Sequence, residues 1–376
     1  RLNALNTIGS IIGTFVPTFI TIPAVGTAAT FLIFAGVLAA IGIVYFACAR
    51  KRLLKGVVAM AVIAGLCFAL PTDSFAFWEN DIALEDESIY NYLQVKDSDK
   101  QTTLSTNVLF GVQSIQRKDT ELTGMYYDYA LAAPLMAGMN SSAGEGHSIM
   151  ILGMGSGTYA SYCVRYFPGV SVQGAEIDRK IAGIATEYFG LPDSVAVAVE
   201  DGRAYLTASQ EQFDVIMVDA YQDITIPFQL SSVEFFQEVQ RHLKPNGVMV
   251  VNLNMTSTRE GSINQYLCDT MSSVFAHTYW VNVPANTNTV VFCTDADDLR
   301  GTFDLNRAPL QNASFAAMMG KVAQNLQDYT GGDHILTDDK APVELLGMQA
   351  LDELIDSQLR YYKEQFSMEE IISMVT

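Results

Sequence analysis

The sequence predicts an α/β protein: a doubly wound sheet of seven strands, led in by a small β-rich segment and preceded by transmembrane helices. Three observations carry this. Short β-branched runs alternate with helical stretches from Ser148 to Cys293, a glycine-rich turn follows the first of these runs, and residues 1–70 are nearly free of charge. Alternation of this kind builds a parallel sheet covered by helices on both faces, with ligands at the carboxyl ends of its strands.

Taken in order, Leu2–Ile22 and Thr27–Ala49 carry no charged residue, and Leu54–Leu70 carries only Lys55. A membrane crossing needs ~20 helical residues, so three spans are expected within a membrane domain over residues 1–78. None of the three has an ionisable group at mid-depth, so no ion pathway is indicated. The chain opens at Arg1 inside an apolar run, as expected of a fragment of a longer polytopic protein. Arg50, Lys51, Arg52 and Lys55 should face the cytoplasm by the positive-inside rule.

The remainder is acidic. Residues 1–78 hold five bases and one acid, Asp73, leaving 40 of the 41 acids in 79–376 against 17 bases. Nucleic-acid binders cluster Lys and Arg instead, so that partner is excluded. The five cysteines show no close pairing in sequence, so neither a metal site nor a disulfide framework is expected.

A β-rich lead-in with a first helix is expected over 79–140. It has strand character at Tyr90–Val95 and Val108–Gln116 and a helix from about Tyr127 to Met139. The main domain, 141–300, offers strands at Ile149–Leu152, Ser171–Ala175, Val195–Val199, Val215–Val218, Val248–Leu253, Thr278–Val283 and Thr289–Cys293. Helices intervene at Tyr159–Tyr166, Arg179–Tyr188, Arg203–Ala208, Ser232–His242 and Ile263–Val274, and Lys244–Gly247 is a turn signal. A helical tail, 301–376, ends in an amphipathic stretch over Leu351–Val375 that should pack on the body.

The chemistry gathers at strand ends. Gly153-Met154-Gly155-Ser156-Gly157 follows a strand and opens a helix, where glycines let backbone N–H groups approach a ligand. The spacing is not that of a dinucleotide fingerprint. Glu176 ends the next strand, suited to ribose hydroxyls. Asp201-Gly202 follows the third strand, suited to an adenine amino group, and Asp219 follows the fourth. Any one of these acids could be a helix cap; four such features in register along one sheet edge point to a nucleoside site.

The order Gly153–Gly157, Glu176-Ile177-Asp178, Asp201-Gly202 and Asp219-Ala220-Tyr221 resembles the spermidine synthase family of polyamine aminopropyltransferases, in its membrane-fused branch. The likeness extends to Glu87–Tyr90, Leu122–Asp128, Ile226–Phe228 and Leu336–Glu344. It implies a methyltransferase-like, Rossmann-type fold and a transferase moving an aminopropyl group from decarboxylated S-adenosylmethionine to a diamine or polyamine. On that resemblance Gly153, Gly155, Ser156, Gly157, Glu176, Asp201 and Gly202 hold the donor. Asp219 accepts the amine proton, Tyr127 is the second catalytic residue and lines the substrate cleft with Gln113, and Asp128, Tyr221 and Asp223 also bind the amine. Soluble family members carry an aspartate where this chain has Ser156, and Asp-Ser-Ser-Asp where it has Asp219-Ala220-Tyr221-Gln222-Asp223. An S-adenosylmethionine-dependent methyltransferase and a non-catalytic nucleoside-binding membrane protein therefore stay open as alternatives. The partners expected are a small polycationic amine and membrane lipid, with self-association left open. The site is expected on the cytoplasmic side of a cell membrane crossed several times, since adenosylmethionine derivatives are cytosolic, and without metal.

Overall fold

A computed structural model describes residues 2–49, 53–69, 81–106, 112–141, 144–220, 226–254, 259–284 and 288–365. They group into two compact units, 1–99 with 103–113 and 100–102 with 114–376.

The first unit opens with α1 (Leu2–Val16), a π-helical turn at Pro17–Thr21, α2 (Ile22–Ala49) and α3 (Leu53–Ala69). Pro17 has no N–H to donate back along the helix, which accounts for the wide turn there. The hydroxyls of Thr7, Thr14 and Thr18 each donate to the carbonyl four residues earlier, so these polar side chains are satisfied within the helix. Gly26 breaks α2 at φ 81° and ψ 171°. Just beyond it, Glu87 accepts hydrogen bonds from the Thr27 N–H, at 2.9 Å, and from the Thr27 hydroxyl. A carboxylate thereby caps the renewed helix at its positive end.

The expected count of three spans is corrected here. The first two lie within one stretch, Asn3–Cys48, kinked at Gly26, the only one among the described residues long and apolar enough to cross a membrane. The third, α3, has 17 described residues, at the short limit of a crossing. Large apolar side chains along the long stretch, among them Leu5, Phe19, Phe31 and Leu38, are exposed.

The lead-in is β-rich, as expected, but starts earlier. β1 (Ile82–Glu87) pairs antiparallel with β2 (Tyr92–Asp97), with Glu87 opposite Tyr92 and Leu84 opposite Val95. The acids Glu85, Asp86 and Glu87 disguise β1 as a polar linker. β3 (Gln101–Ser105) and β4 (Ser114–Arg117) follow; of the expected strand at 108–116, residues 107–111 lie outside the described ones.

In the second unit the single helix expected from Tyr127 is two short ones, α4 (Tyr126–Ala130) and α5 (Ala132–Met136), buried throughout. The main domain then runs β5 (Ser148–Leu152), α6 (Thr158–Tyr166), β6 (Ser171–Ala175), α7 (Arg179–Glu187), β7 (Ala196–Ala198), α8 (Gly202–Ala208), β8 (Phe213–Val218), α9 (Val233–Arg241), β9 (Leu243–Leu253), α10 (Ile263–Ser272), β10 (His277–Asn282) and β11 (Thr289–Thr294). After these come α11 (Leu299–Arg307), α12 (Ala313–Asn325), the two-residue β12 (Gln327–Asp328) and α13 (Val343–Gln365).

The sheet order is β12-β10-β11-β9-β8-β5-β6-β7. All seven expected strands are present, with β12 added at the edge, but the sheet is mixed and not parallel throughout. β9, β8, β5, β6 and β7 are parallel, whereas β11 runs antiparallel to both β9 and β10. Only residues 283–288 join β10 to β11, too few for the crossover that parallel neighbours need. Along the central strands the side chains alternate between two cores. Ile149, Ile151, Val215 and Met217 pack with Leu131, Phe167 and Phe315. Met150, Leu152, Ile216 and Val218 pack with Phe235, Phe236 and Leu267. Covering both faces is what makes these strands continuously apolar in sequence.

Candidate active site

β5 lies between β6 and β8, so the chain leaves it toward one side and later returns on the other. Such a switch point opens a crevice at the carboxyl ends of the strands. The last ladder bonds fix what stands there. The Asp219 N–H donates to the Leu152 carbonyl at 2.9 Å, the Glu176 N–H to Ala198 at 2.9 Å, and both Gly153 and Met154 N–H groups to Ala175 at 3.0 Å. Gly153 has φ 90°, and a Cβ on it would stand 2.7 Å from the Asp219 carbonyl oxygen. Glycine is required there by both conformation and space.

Glu176 is buried, and each of its oxygens takes one backbone N–H: Oε2 from Gly155 at 2.8 Å and Oε1 from Asp178 at 2.9 Å. Burial pushes its pKa above the usual carboxylate range, against the pull of those N–H groups. A carboxylate oxygen has two lone pairs, so these bonds leave acceptor capacity for a ribose. Gly157, at φ 75°, caps α6. The Ser156 hydroxyl is buried and 2.8 Å from that of Thr158. Asp201 caps α8 by accepting from the Ala204 N–H at 2.9 Å. Gly202, the first residue of that helix, meets Leu152 at ordinary contact distance.

Asp219 is held by two side chains. Its Oδ2 accepts from the Tyr126 hydroxyl at 2.6 Å and its Oδ1 from Asn252 Nδ2 at 3.0 Å. Desolvation raises its pKa to about 7, although both donors lower it; the charge of Glu176 adds to the rise. Burial in turn lifts the Tyr126 hydroxyl well above its ordinary value. A carboxylate with a pKa near neutrality, on a partly buried edge, is suited to accept a proton.

Several sequence expectations land elsewhere. The tyrosine that meets Asp219 is Tyr126, not Tyr127: the Tyr127 hydroxyl donates to the Ile115 carbonyl at 2.6 Å and accepts from its N–H at 3.2 Å. Asp128 is fully buried, and its carboxylate takes the N–H groups of Thr123 and Gly124, which fastens the turn before α4; burial lifts its pKa to about 6. Gln113 belongs to the first unit, where its side-chain oxygen is 3.4 Å from the Thr106 hydroxyl. Tyr221 and Asp223 lie outside the described residues. Asp338, in the Leu336–Glu344 motif, is bidentate to Arg203 at 2.8 Å on both arms and accepts from Ser232, the cap of α9. Sequence reasoning missed Tyr126, Asn252, Asn254 and Asn288. The signal for Asn252 was present, a polar residue inside the apolar run Val248–Leu253.

Fold and site together define an α/β enzyme of the doubly wound, methyltransferase-like class, with its candidate residues at the switch point. The family model described as the spermine/spermidine synthase domain matches residues 134–304. The chain is 45% identical over 339 residues to a probable polyamine aminopropyl transferase of Bifidobacterium longum, covering 86% of this chain and 75% of that one. It is 25% identical over 302 residues to a polyamine aminopropyltransferase of Vibrio vulnificus, covering 76% and 97%. A crystal structure of a probable spermidine synthase from Corynebacterium glutamicum shares the fold with a TM-score of 0.53 at 19% identity, over 72% of this chain and 95% of that one. The chain belongs to the spermine/spermidine synthase family and is a transferase.

Proposed function

We propose that this protein transfers the aminopropyl group of decarboxylated S-adenosylmethionine to a primary amine of a diamine or polyamine, and that Asp219 is the proton acceptor. The observation that carries the proposal is the Asp219 carboxylate at the end of β8, held by Tyr126 and Asn252 and raised toward neutrality by burial. An ammonium cannot attack carbon. Asp219 holds the amine, takes its proton, and the freed lone pair forms a C–N bond to the CH₂ beside the sulfonium. The C–S bond breaks, and its electron pair neutralises the sulfonium, leaving a thioether nucleoside. Carboxylate, orientation and proton acceptance are thus supplied by one group.

In this proposal Gly153–Gly157 and Glu176 receive the nucleoside, Glu176 through its remaining lone pairs, with Asp201 toward the adenine. Gln113, Tyr221 and Asp223 are the residues to test for the amine. Functionally, 1–78 is the membrane part, 79–140 the lead-in, 141–300 the catalytic domain and 301–376 a packing tail. The apolar stretch Asn3–Cys48 anchors the protein in lipid, and the catalytic domain works on the cytoplasmic side, where the basic cluster Arg50–Lys55 belongs.

Ser156 favours one second reading, methyl transfer from S-adenosylmethionine, because no carboxylate in the glycine loop awaits an aminopropyl ammonium. Purified protein incubated with each labelled donor and a panel of amines separates the two. Aminopropyl transfer supports the proposal; methyl transfer, or binding without turnover, overturns it.

A further inference from the structure

Asp219 is held by a carboxamide that is itself held. Asn252 and Asn254 stand two residues apart where β9 ends, and Asn288 immediately precedes β11, the antiparallel neighbour. Asn252 Nδ2 is 3.0 Å from Asp219 Oδ1 and 2.9 Å from Asn254 Oδ1. Asn288 Nδ2 lies 2.9 Å from Asn252 Oδ1 and 3.0 Å from Asn254 Oδ1. Which end of a carboxamide is nitrogen follows from its partners. An ionised Asp219 only accepts, so Asn252 turns its NH₂ to it; the Asn252 oxygen then faces away and needs a donor, which Asn288 provides. Asn252 is 2% exposed, which leaves little room for water to take that place.

We infer that Asn288 is a positioning residue for the proton acceptor. It donates to Asn252 and so keeps the Asn252 N–H directed at Asp219, one side chain removed from the reacting atoms. The inference rests on the assignment of Asp219 as the base. When Asn288 cannot donate, the Asn252 oxygen loses its donor, and besides Asp219 itself only Asn254 Oδ1 still holds the NH₂ in place. Asn252 is then freed to turn its oxygen toward Asp219, and a carboxylate facing a carbonyl oxygen holds its proton more tightly.

The groups facing Asp219 are Tyr126 from α4, Asn252 from β9 and, through space, Glu176 beyond β6; Tyr127 and Tyr159 are within electrostatic range. Burial raises all three tyrosines above their ordinary value. An acidic limb near neutrality therefore belongs to Asp219, Glu176 or the amine, and only Asp219 touches Asn252.

The test is the pH profile of kcat/KM for parent, Asn288→Leu, Asn288→Asp, Asn282→Ala and Asp219→Asn. Either Asn288 variant should move the acidic limb up by about one pH unit, giving roughly a fivefold loss at pH 7, approaching tenfold below it, that recovers in alkaline buffer. Methylthioadenosine should bind both variants as it binds the parent. Asn282→Ala removes the 2.9 Å bond from the Thr289 hydroxyl in the same hairpin and should keep the parent profile. A folded Asn288 variant with the parent limb, or a loss equal at all pH values and shared by Asn282→Ala, overturns the inference. Asp219→Asn separates the two levels. If it stays active, the base assignment fails and takes Asn288 with it; if it is inactive while Asn288 variants keep the parent limb, only the role of Asn288 fails.

Discussion

Asp219 is costly to the fold it serves. Its pKa, about 7 in the folded chain against an ordinary 3.8, means that the folded state binds the proton more tightly than the unfolded state does. For this group stability therefore falls as pH rises from about 4 to about 7 and stays reduced above that. Asp219→Asn should raise the melting temperature at pH 8 and leave it unchanged below pH 4, while turnover drops ~10²–10⁴-fold. Calorimetric melting at the two pH values and steady-state rates check both halves; methylthioadenosine should still bind. The two adjacent tyrosines should part in the same way. Tyr127→Phe removes a hydroxyl bonded to both polar groups of Ile115 and should cost about 1 kcal/mol of stability with the rate kept. Tyr126→Phe removes a donor to Asp219 and should shift the acidic limb of kcat/KM upward. The strand-end acids and the glycine loop were legible in the sequence because a strand's end is fixed by its apolar run. Tyr126 against Tyr127 was not, since adjacent helical residues point ~100° apart and the phase of a five-residue helix is set by packing. Asn288 was not legible either: its partner lies 36 positions away, across an antiparallel pairing.

At the level of elements, β9 shows how a turn signal and a strand coexist. Phe213 pairs with Leu243 and Val215 with Val248, so residues 244–247 bulge out of the ladder. Lys244-Pro245-Asn246-Gly247 is therefore the turn its composition announces, inside a strand. The bulge delivers Lys244 Nζ to within 2.6 Å of Asp214, whose carboxylate also takes the Ser148 N–H at 2.8 Å and lies 2.9 Å from His147 Nδ1. These partners hold the Asp214 pKa below the ordinary value despite burial. This group therefore adds stability above the unfolded pKa and loses it as pH falls through the folded one. Asp214→Asn should destabilise by about 1–3 kcal/mol at pH 7, with a smaller difference in acid. Because Asp214 stands at the amino end of β8 and Asp219 beyond its carboxyl end, kcat should be unchanged; chemical denaturation beside rate measurement checks this. The β10–β11 hairpin was misread as a parallel pair because strand periodicity carries no direction. The six-residue connection carried it.

For the whole molecule the contrast is between an apolar, nearly uncharged beginning and an acidic remainder. The proposed attachment through Asn3–Cys48 would rest on hydrocarbon, not charge. The protein should float with uncharged lipid vesicles on a density gradient, resist release by molar salt, and be released by detergent. Release by salt alone would reject the anchor. The acidic remainder should draw polycations from solution. The second-order rate constant for a polyamine should therefore fall with ionic strength, more steeply for a tetraamine than for a diamine; stopped-flow binding at graded salt measures both slopes.

The loop assigned to the donor and the carbonyl of Asp219 stand so close that there is no room for one methyl group between them. On the proposed roles, electrophile and base are gauged from the same point, so that displacing one displaces the other. Mutational drift can reshape the amine side of the cleft piece by piece, but a new donor fitted by moving this loop misaligns the proton transfer in the same stroke. Acceptor preference should accordingly diverge readily among relatives of this chain, whereas the donor should be shared, because in-line attack tolerates errors of only about an ångström.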